Sequence, residues 1–425
     1  MASFFIPLTG LESDSIALNT IANDLSNMNT TAFKAQTTNF ADLFYQQIGS
    51  TGAGNPIQVG AGVQVAANET QFTQGSINTT GTATDVALNG NGFFVVSNGN
   101  SNEYTRAGDF SLTSAGNLVT PSGLSVMGYP AVNGVVNTSS PLTAINIPVG
   151  QVQEPHATTS LNMTANLDSA AGAGATFPAQ VTVYDSLGVS HVATVTYTQT
   201  GTNTWSYSVA LPAADFTSGT STPVTGSMTF DATGTLTSIT PTGGAASTVG
   251  TAVGDVSSIP LSFTGLADGS KDLSMNWNLL GTSGTPSISQ VDTASAVSAT
   301  TQDGYPSGQY QSFAISSNGT VTATYSNGQE QAVGQLALAN VANVQGLQML
   351  GDGDYATTLS SGTAAVATSG ASGLGTMQDG ALEQSNVNIS AEFSDLIIAQ
   401  RAFEANSKAV TTFDTVTQET INMIH

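Results

Sequence analysis

Both ends of this chain carry apolar residues at heptad spacing, and the sequence between them has a different period. At the N-terminus Leu11, Leu18 and Leu25 form one row. Ile21 and Met28 lie three residues beyond Leu18 and Leu25, so two interleaved stripes share one helix face. At the C-terminus Leu396, Phe403, Val410 and Ile424 form a longer row, joined by Phe413 three residues past Val410. Such faces need partners. The candidates are the opposite end of the same chain and the ends of other copies, so the chain reads as a polymer subunit. The alternative is a helical hairpin packed on the chain's own β domain.

Thr9 and Glu12 have capping-box spacing, which predicts a helix from near Gly10 to about Asn29, stopped by the polar run Asn27, Asn29, Thr30 and Thr31. Near the other end Asn388 or Ser390 can cap a second helix with Glu392 in its first turn, and no Gly or Pro interrupts it up to His425. At about 1.5 Å per residue that helix would be about 50 Å long. An isolated N-terminal helix this short is marginal in water, so its order is expected to come with assembly.

Between the ends the apolar residues alternate instead. Val181 and Val183, then Ala193, Val195 and Tyr197, then Trp205, Tyr207 and Val209 are interleaved with Thr, Ser and Gln, as in half-buried antiparallel strands. Asn89-Gly90, Asn91-Gly92, Asn318-Gly319 and Asn327-Gly328 are the dipeptides of tight hairpins. An aromatic residue followed by a turn and a Gly-x-aliphatic step recurs at Phe110–Leu118, Phe230–Leu236 and Phe313–Val321, which predicts similar hairpins; their irregular separations argue against a solenoid. Linker-like composition marks 49–62, 169–176, 243–254 and 360–375.

The fold class that follows is α+β and multidomain: terminal helices pairing as a coiled-coil-like core, with nested, mainly antiparallel β domains between them. The expected order is an N-terminal helix (1–30), a connector (31–70), a β domain (71–150), an inserted outer β domain (151–299), the first β domain resumed (300–362), a second connector (363–387) and the C-terminal helix (388–425).

Charge excludes several functions. The 28 acidic residues face five basic ones, Lys34, Arg106, Lys271, Arg401 and Lys408, for a net charge of −23. No cluster of cations can neutralise phosphates, so nucleic acid is not an expected partner. Cysteine is absent, which removes disulfides and thiolate metal sites. Met1 to Gly10 lacks the basic and apolar regions of a cleavable signal peptide, and no run of about 18 apolar residues marks a membrane span. Export without a cleavable signal and no membrane insertion are therefore expected.

No catalytic, cofactor or metal motif stands out. Asp352 and Asp354 in the run GDGD are not followed by the oxygen-ligand spacing of a calcium loop, and a tight turn is expected there. His156, His191 and His425 are isolated in sequence, with no HExxH, nucleophile elbow, GxGxxG or Walker loop. His191, beside a strand, reads as a surface residue; Asp185 and Asp231 read as hairpin-turn residues.

The segment NTIANDLSNMNTTAFK, Asn19 to Lys34, resembles the N-terminal signature of the flagellar rod and hook family, the axial proteins of the bacterial flagellum; the matching positions are Asn23, Asn27, Asn29, Thr30, Phe33 and Lys34. Asp24 stands where that family usually has asparagine, and Ala32 where it has glycine, so a positive φ is not expected at Ala32 and Asp24 would need a partner if buried. Leu382 to Ile424 resembles the family's C-terminal signature at Ser385, Asn386, Gln400, Arg401, Asn406 and Lys408, with Asn388 where aspartate is common. Weaker similarity covers GNGFFVV, YTRAGDF and the segment from Tyr325 to Leu347. VTVYDSLGVSHVATVTY resembles the inserted outer domain that distinguishes hook members from the shorter rod members.

The resemblance implies an extracellular structural subunit that self-assembles into a hollow, bendable tube coupling the rotary motor and rod to the filament. It implies many copies of the chain as partners, together with distal rod, hook cap and hook–filament junction proteins and the flagellar type III export apparatus. No enzymatic activity and no cofactor are expected. A distal rod protein with an unusual insertion and a secreted β-rich adhesin are the alternatives; a glycosidase is more distant still. Arg401 and Lys408, one heptad apart, would either pair with acids such as Asp24 or Glu12 across the bundle or form a solvated stripe.

Overall fold

The computed structural model describes residues 4–50, 52 and 54–423, so Ile424 and His425 lie outside the described residues. The chain divides into two compact units, one built from the residues up to Val149 with Ser312–Thr324 and those from Glu330, the other from Gly150–Gln311 and Tyr325–Gln329.

The first unit contains both helices. Helix α1 spans Phe5–Ser26 and α2 spans Ile389–Met423, 22 and 35 residues respectively. α1 begins earlier than the capping-box spacing predicts. Pro7 falls in its first turn, where backbone N–H groups have no intrahelical acceptor and a missing one costs nothing. Thr9 is consequently inside the helix: its hydroxyl donates to the Ile6 carbonyl at 2.8 Å and accepts from the Val63 N–H at 3.3 Å. α2 is capped by Asn388, whose Oδ1 accepts from the N–H groups of Ser390 (3.1 Å) and Ala391 (3.3 Å).

After α1 come two antiparallel ladders, one of β1 (Gln36–Asp42) with β4 (Val63–Thr70) and one of β2 (Gln46–Ser50) with β3 (Pro56–Val59). The glycine-rich stretch from Gly49 to Gly62 is thus partly strand, because Ile57 and Val59 supply extended, β-favouring positions between the glycines. The body of this unit is an antiparallel sheet in which the strand Phe93–Ser97 pairs with Asn102–Thr105 and with Ser125–Val132. Phe72, Phe93 and Tyr355 pack edge-on or tilted, with centroids 5.6–5.8 Å apart.

Asn89-Gly90 and Asn91-Gly92 do not form a hairpin. Val86–Asn89 pairs with Thr376–Asp379, whereas Phe93–Ser97 belongs to the main sheet, and Gly90 and Gly92, both at positive φ, let the chain cross between them. Asn318-Gly319 and Asn327-Gly328 do occupy tight turns, closed by Gly319 N–H to Ser316 O (2.7 Å) and Gly328 N–H to Tyr325 O (3.0 Å). Asp352-Gly353 turns between Gln348–Gly351 and Asp354–Ala356, both residues at positive φ.

Among the described residues the second unit contains a six-stranded antiparallel sheet and a five-stranded mixed one. The alternating residues foreseen on Thr176–Tyr184, Ser190–Gly201 and Thr204–Ala210 are buried every second position. They join residues of the other sheet, on Ser160–Asp168, Ser258–Phe263 and Leu273–Asn278, in one core. Trp277 is its centre, edge-on to Tyr197 at 6.2 Å and to Tyr207 at 5.8 Å. Pro178 is tolerated because Thr176–Tyr184 is an edge strand. His191 is not a surface residue: it points inward on the alternation of its strand and is only 5% exposed. Among the described residues no helix is long and apolar enough to cross a membrane.

Candidate assembly surface and the clasp behind it

The two family-like signatures meet at a buried ion cluster in the first unit. Lys34 and Glu383 are fully buried, with Nζ 2.6 Å from Oε1, and Lys34 also donates to the Thr73 carbonyl at 2.9 Å. Arg106 brings its Nε to 3.5 Å from Glu383 Oε2 and donates through Nη1 to the carbonyls of Gly90 and Gly92 at 2.7 and 3.0 Å. The Gly75 N–H completes the set on Glu383 Oε1 at 2.9 Å. Burial pulls the Lys34 ammonium below its ordinary pKa, opposed by its hydrogen bond to Glu383, and it likewise lowers Arg106.

Asn386 closes the clasp with backbone. Its Oδ1 accepts from Ala35 N–H at 2.8 Å, its Nδ2 donates to the carbonyls of Gln71 (2.6 Å) and Thr73 (3.1 Å), and its own N–H reaches the Phe33 carbonyl at 3.2 Å. Ala32 donates to the Glu383 carbonyl at 2.8 Å and adopts φ +54°, a left-handed conformation held without glycine. Two backbone-directed anchors on either side over-determine that turn, so the alanine is carried into it.

The helices leave most of what the sequence marks as seam half-buried. Pro7, Gly10, Ser13, Ala17, Thr20 and Asp24 are the buried residues of α1, a row of mostly small side chains. Leu11, Leu18, Ile21 and Leu25 are half-buried and Met28 is exposed; on α2, Leu396, Val410 and Phe413 are half-buried and Phe403 is 37% exposed. The small row lets α2 come close. A Cβ placed on Gly10 would sit 2.6 Å from Asn406 Nδ2, and that nitrogen donates to Asp14 Oδ2 at 2.9 Å.

Asn27 is half-buried and ties its amide back to Asn23, while Asn23, Asn29 and Thr30 are exposed and Phe33 and Ser385 half-buried. Gln400, Arg401 and Lys408 are exposed on α2, and among the described residues neither cation joins an ion pair. Asp14, Glu392 and Asp395 line a groove of about 350 Å³ with Thr20, Ile398 and Ala402, and neither cation is part of its lining. Asp24 is fully buried nearby, its Oδ2 accepting from Gln36 N–H at 2.8 Å and its Oδ1 unpaired. Burial raises its pKa, and burial together with the Asp24 charge raises that of Glu392.

Sequence reading missed Glu383, Arg106 and the row Gly10, Ser13, Ala17 and Thr20. Small residues at spacings of three and four were the available signal for the row. For the ion cluster it was the scarcity of cations, since Lys34 stands between Phe33 and Ala35 where a solvated lysine has no reason to be.

Family models match three segments: the flagellar hook protein FlgE/F/G D1 domain over 87–166, the flagellar basal body protein FlaE D2 domain over 146–305, and the flagellar basal body rod FlgEFG protein C-terminal over 378–423. The chain is 35% identical to the flagellar hook protein FlgE of Treponema pallidum, an alignment covering 100% of this chain and 99% of that protein. The chain belongs to the flagellar hook protein family. It is 34% identical to FlgE of Escherichia coli over 99% of this chain and 100% of that one. A crystal structure of Helicobacter pylori FlgE2 shares the fold, with a TM-score of 0.55 at 15% identity over 72% of this chain and 100% of that one. As a hook-family chain it is a structural, self-assembling axial component of the flagellum.

Glu383→Gln should cost about 3–5 kcal/mol in chemical denaturation, because it leaves two cations buried without their anion; a loss below about 1 kcal/mol would show that the cluster does not hold the unit. Asp24→Asn should act in the opposite direction. A carboxyl with a raised folded-state pKa favours folding only while protonated, so ionisation above its ordinary value near 3.8 weakens the fold. The variant should therefore melt higher than the parent monomer at pH 7, with the difference vanishing below pH 3.8.

Proposed function

We propose that copies of this chain bundle α1 and α2 in a coiled-coil-like manner into the inner wall of a hollow tube, the bendable coupling that carries torque from motor and rod to the filament. The observation that carries this reading is where the apolar surface remains open. Both units bury their own cores to near zero exposure, yet Phe5, Phe44, Tyr45, Ile48, Phe393, Ile397, Ile398 and Val416 are all at least half exposed, on the helices, on β2 and just before it. Helix α2 buries none of its described residues. Large apolar side chains are exposed elsewhere too, at Val135, Val253 and Leu359 among others; it is their concentration on the helices and the neighbouring hairpin that marks an interaction site.

The unpaired Arg401 and Lys408 complement the acidic groove of Asp14, Glu392 and Asp395 and would set register between neighbouring copies. The outer β surface, built from Thr, Ser, Asn and Gln, allows contacts to be exchanged at little net cost as the tube bends, since hydrogen bonds to water and to a neighbour differ by about 1 kcal/mol. In this reading the chain is not an enzyme. It acts outside the cell, reaches its place through the flagellar type III export apparatus without a cleavable signal, and meets distal rod, hook cap and hook–filament junction proteins.

The test is electron microscopy of basal bodies from cells lacking the gene. A complete rod with no curved segment supports the proposal; a truncated rod favours a rod role, and intact flagella an adhesin. In the purified protein, Phe403→Ala should raise the concentration needed for polymerisation by the share of the side chain that assembly newly covers, about 1–2 kcal/mol per subunit out of the roughly 3–5 kcal/mol of a fully buried Phe. The monomer should also melt lower, because Phe403 is only 37% exposed there.

A further inference from the structure

The second unit holds a buried cluster to which neither the ion clasp nor the helices contribute. Asp185 sits in the turn after Thr176–Tyr184, His191 opens the next strand, and Asp215 and Asp268 come from two loops joined by Ala267 N–H to Asp215 O at 2.9 Å. The imidazole is 5% exposed and the Asp185 side chain 0%. Each of two carboxylates is fixed by backbone through one oxygen: Asp185 Oδ1 accepts from Leu187 and Val189 N–H at 2.9 and 2.8 Å, and Asp268 Oδ1 from Ser270 N–H at 3.0 Å. Their other oxygens converge on the ring.

His191 Nδ1 is 2.8 Å from Asp215 Oδ2, the distance of an N–H···O bond. Nε2 is turned to the other two carboxylates. It lies 3.4 Å from Asp185 Oδ2 and 3.7 Å from Asp268 Oδ2. A buried nitrogen set among carboxylate oxygens calls for positive charge at that point, either a proton on the ring or a metal ion between the three atoms. The three atoms lie within 4.8 Å of one another. Ligands about 2.1 Å from a tetrahedral ion are separated by about 3.4 Å, close to what is seen here. The Asp215–imidazole bond is the outer contact that orients a metal-binding histidine.

We propose that Asp185, His191 and Asp268 form a site for one divalent transition-metal ion of the zinc class, with Asp215 as the positioning residue. Calcium and magnesium fit poorly, because they take six or more oxygen ligands and avoid imidazole. The ion pins two loops to the strand that carries His191.

The test uses the full-length monomer, stripped with a chelator and titrated calorimetrically with zinc chloride. One zinc per chain is expected at this site, together with a higher melting temperature. Asp268→Asn keeps an oxygen for the Ser270 N–H and should still fold, yet weaken that binding at least tenfold; Asp215→Asn should weaken it by about 10- to 100-fold. In nitrogen NMR spectra, zinc should shift His191 Nε2 while Nδ1 keeps its proton. Zinc bound no more tightly than by His191→Gln, or a ring with both nitrogens protonated at pH 7 in the presence of zinc, would overturn the proposal and leave a buried imidazolium bridging the carboxylates.

Discussion

The first unit depends on a single carboxylate. Glu383 neutralises Lys34 and Arg106 where all three are buried, and each partner comes from a different part of the chain. In a protein with five cations, placing two of them on one buried anion is a large commitment of positive charge. The desolvation of these ions makes the cluster a weak source of net stability but a strong source of specificity: any arrangement that separates the groups leaves a bare charge inside the fold. Lys34 fixes the exit of α1, Glu383 and Asn386 fix the approach to α2, and Arg106 fixes the glycine crossover at Gly90 and Gly92.

From that anchor the helices leave as a close pair whose mutual contact is small and polar. Gly10, Ala17, Thr20 and the Asn406–Asp14 bond bring them together, and the larger side chains are left half-buried or exposed. Leu18, Leu25 and Leu396 are half-buried, whereas Phe393, Ile397 and Ile398 stand open. The same division separates the two kinds of apolar surface: edge-to-face and closed around Trp277 in the second unit, mixed aliphatic and aromatic and open on the helices.

The strands of the second unit were readable because a period of two, with Trp and Tyr at the inward positions, has few other solutions. The three aromatic-turn repeats were readable for the same reason, and 110–118 and 230–236 are antiparallel hairpins. What the pattern could not give was anything set by distant partners. The helix start moved to Phe5 because packing against Val63 recruits Thr9, the pair of Asn-Gly steps near residue 90 became a crossover because their flanking strands have other partners, and Ala32 took a glycine conformation because Glu383 and Asn386 hold its neighbours. His191 reads as surface in one dimension; only the loops carrying Asp215 and Asp268 make it interior.

The Lys34–Glu383 contact spans 349 residues of chain. Closing so long a loop is entropically slow and comes late, so a chain delivered N-terminus first keeps its first signature unpaired until nearly all of it has emerged. Lys34 therefore meets its anion only in a chain that extends past Glu383. A chain that ended earlier would leave that ammonium without a counter-charge and the turn after α1 without its anchor.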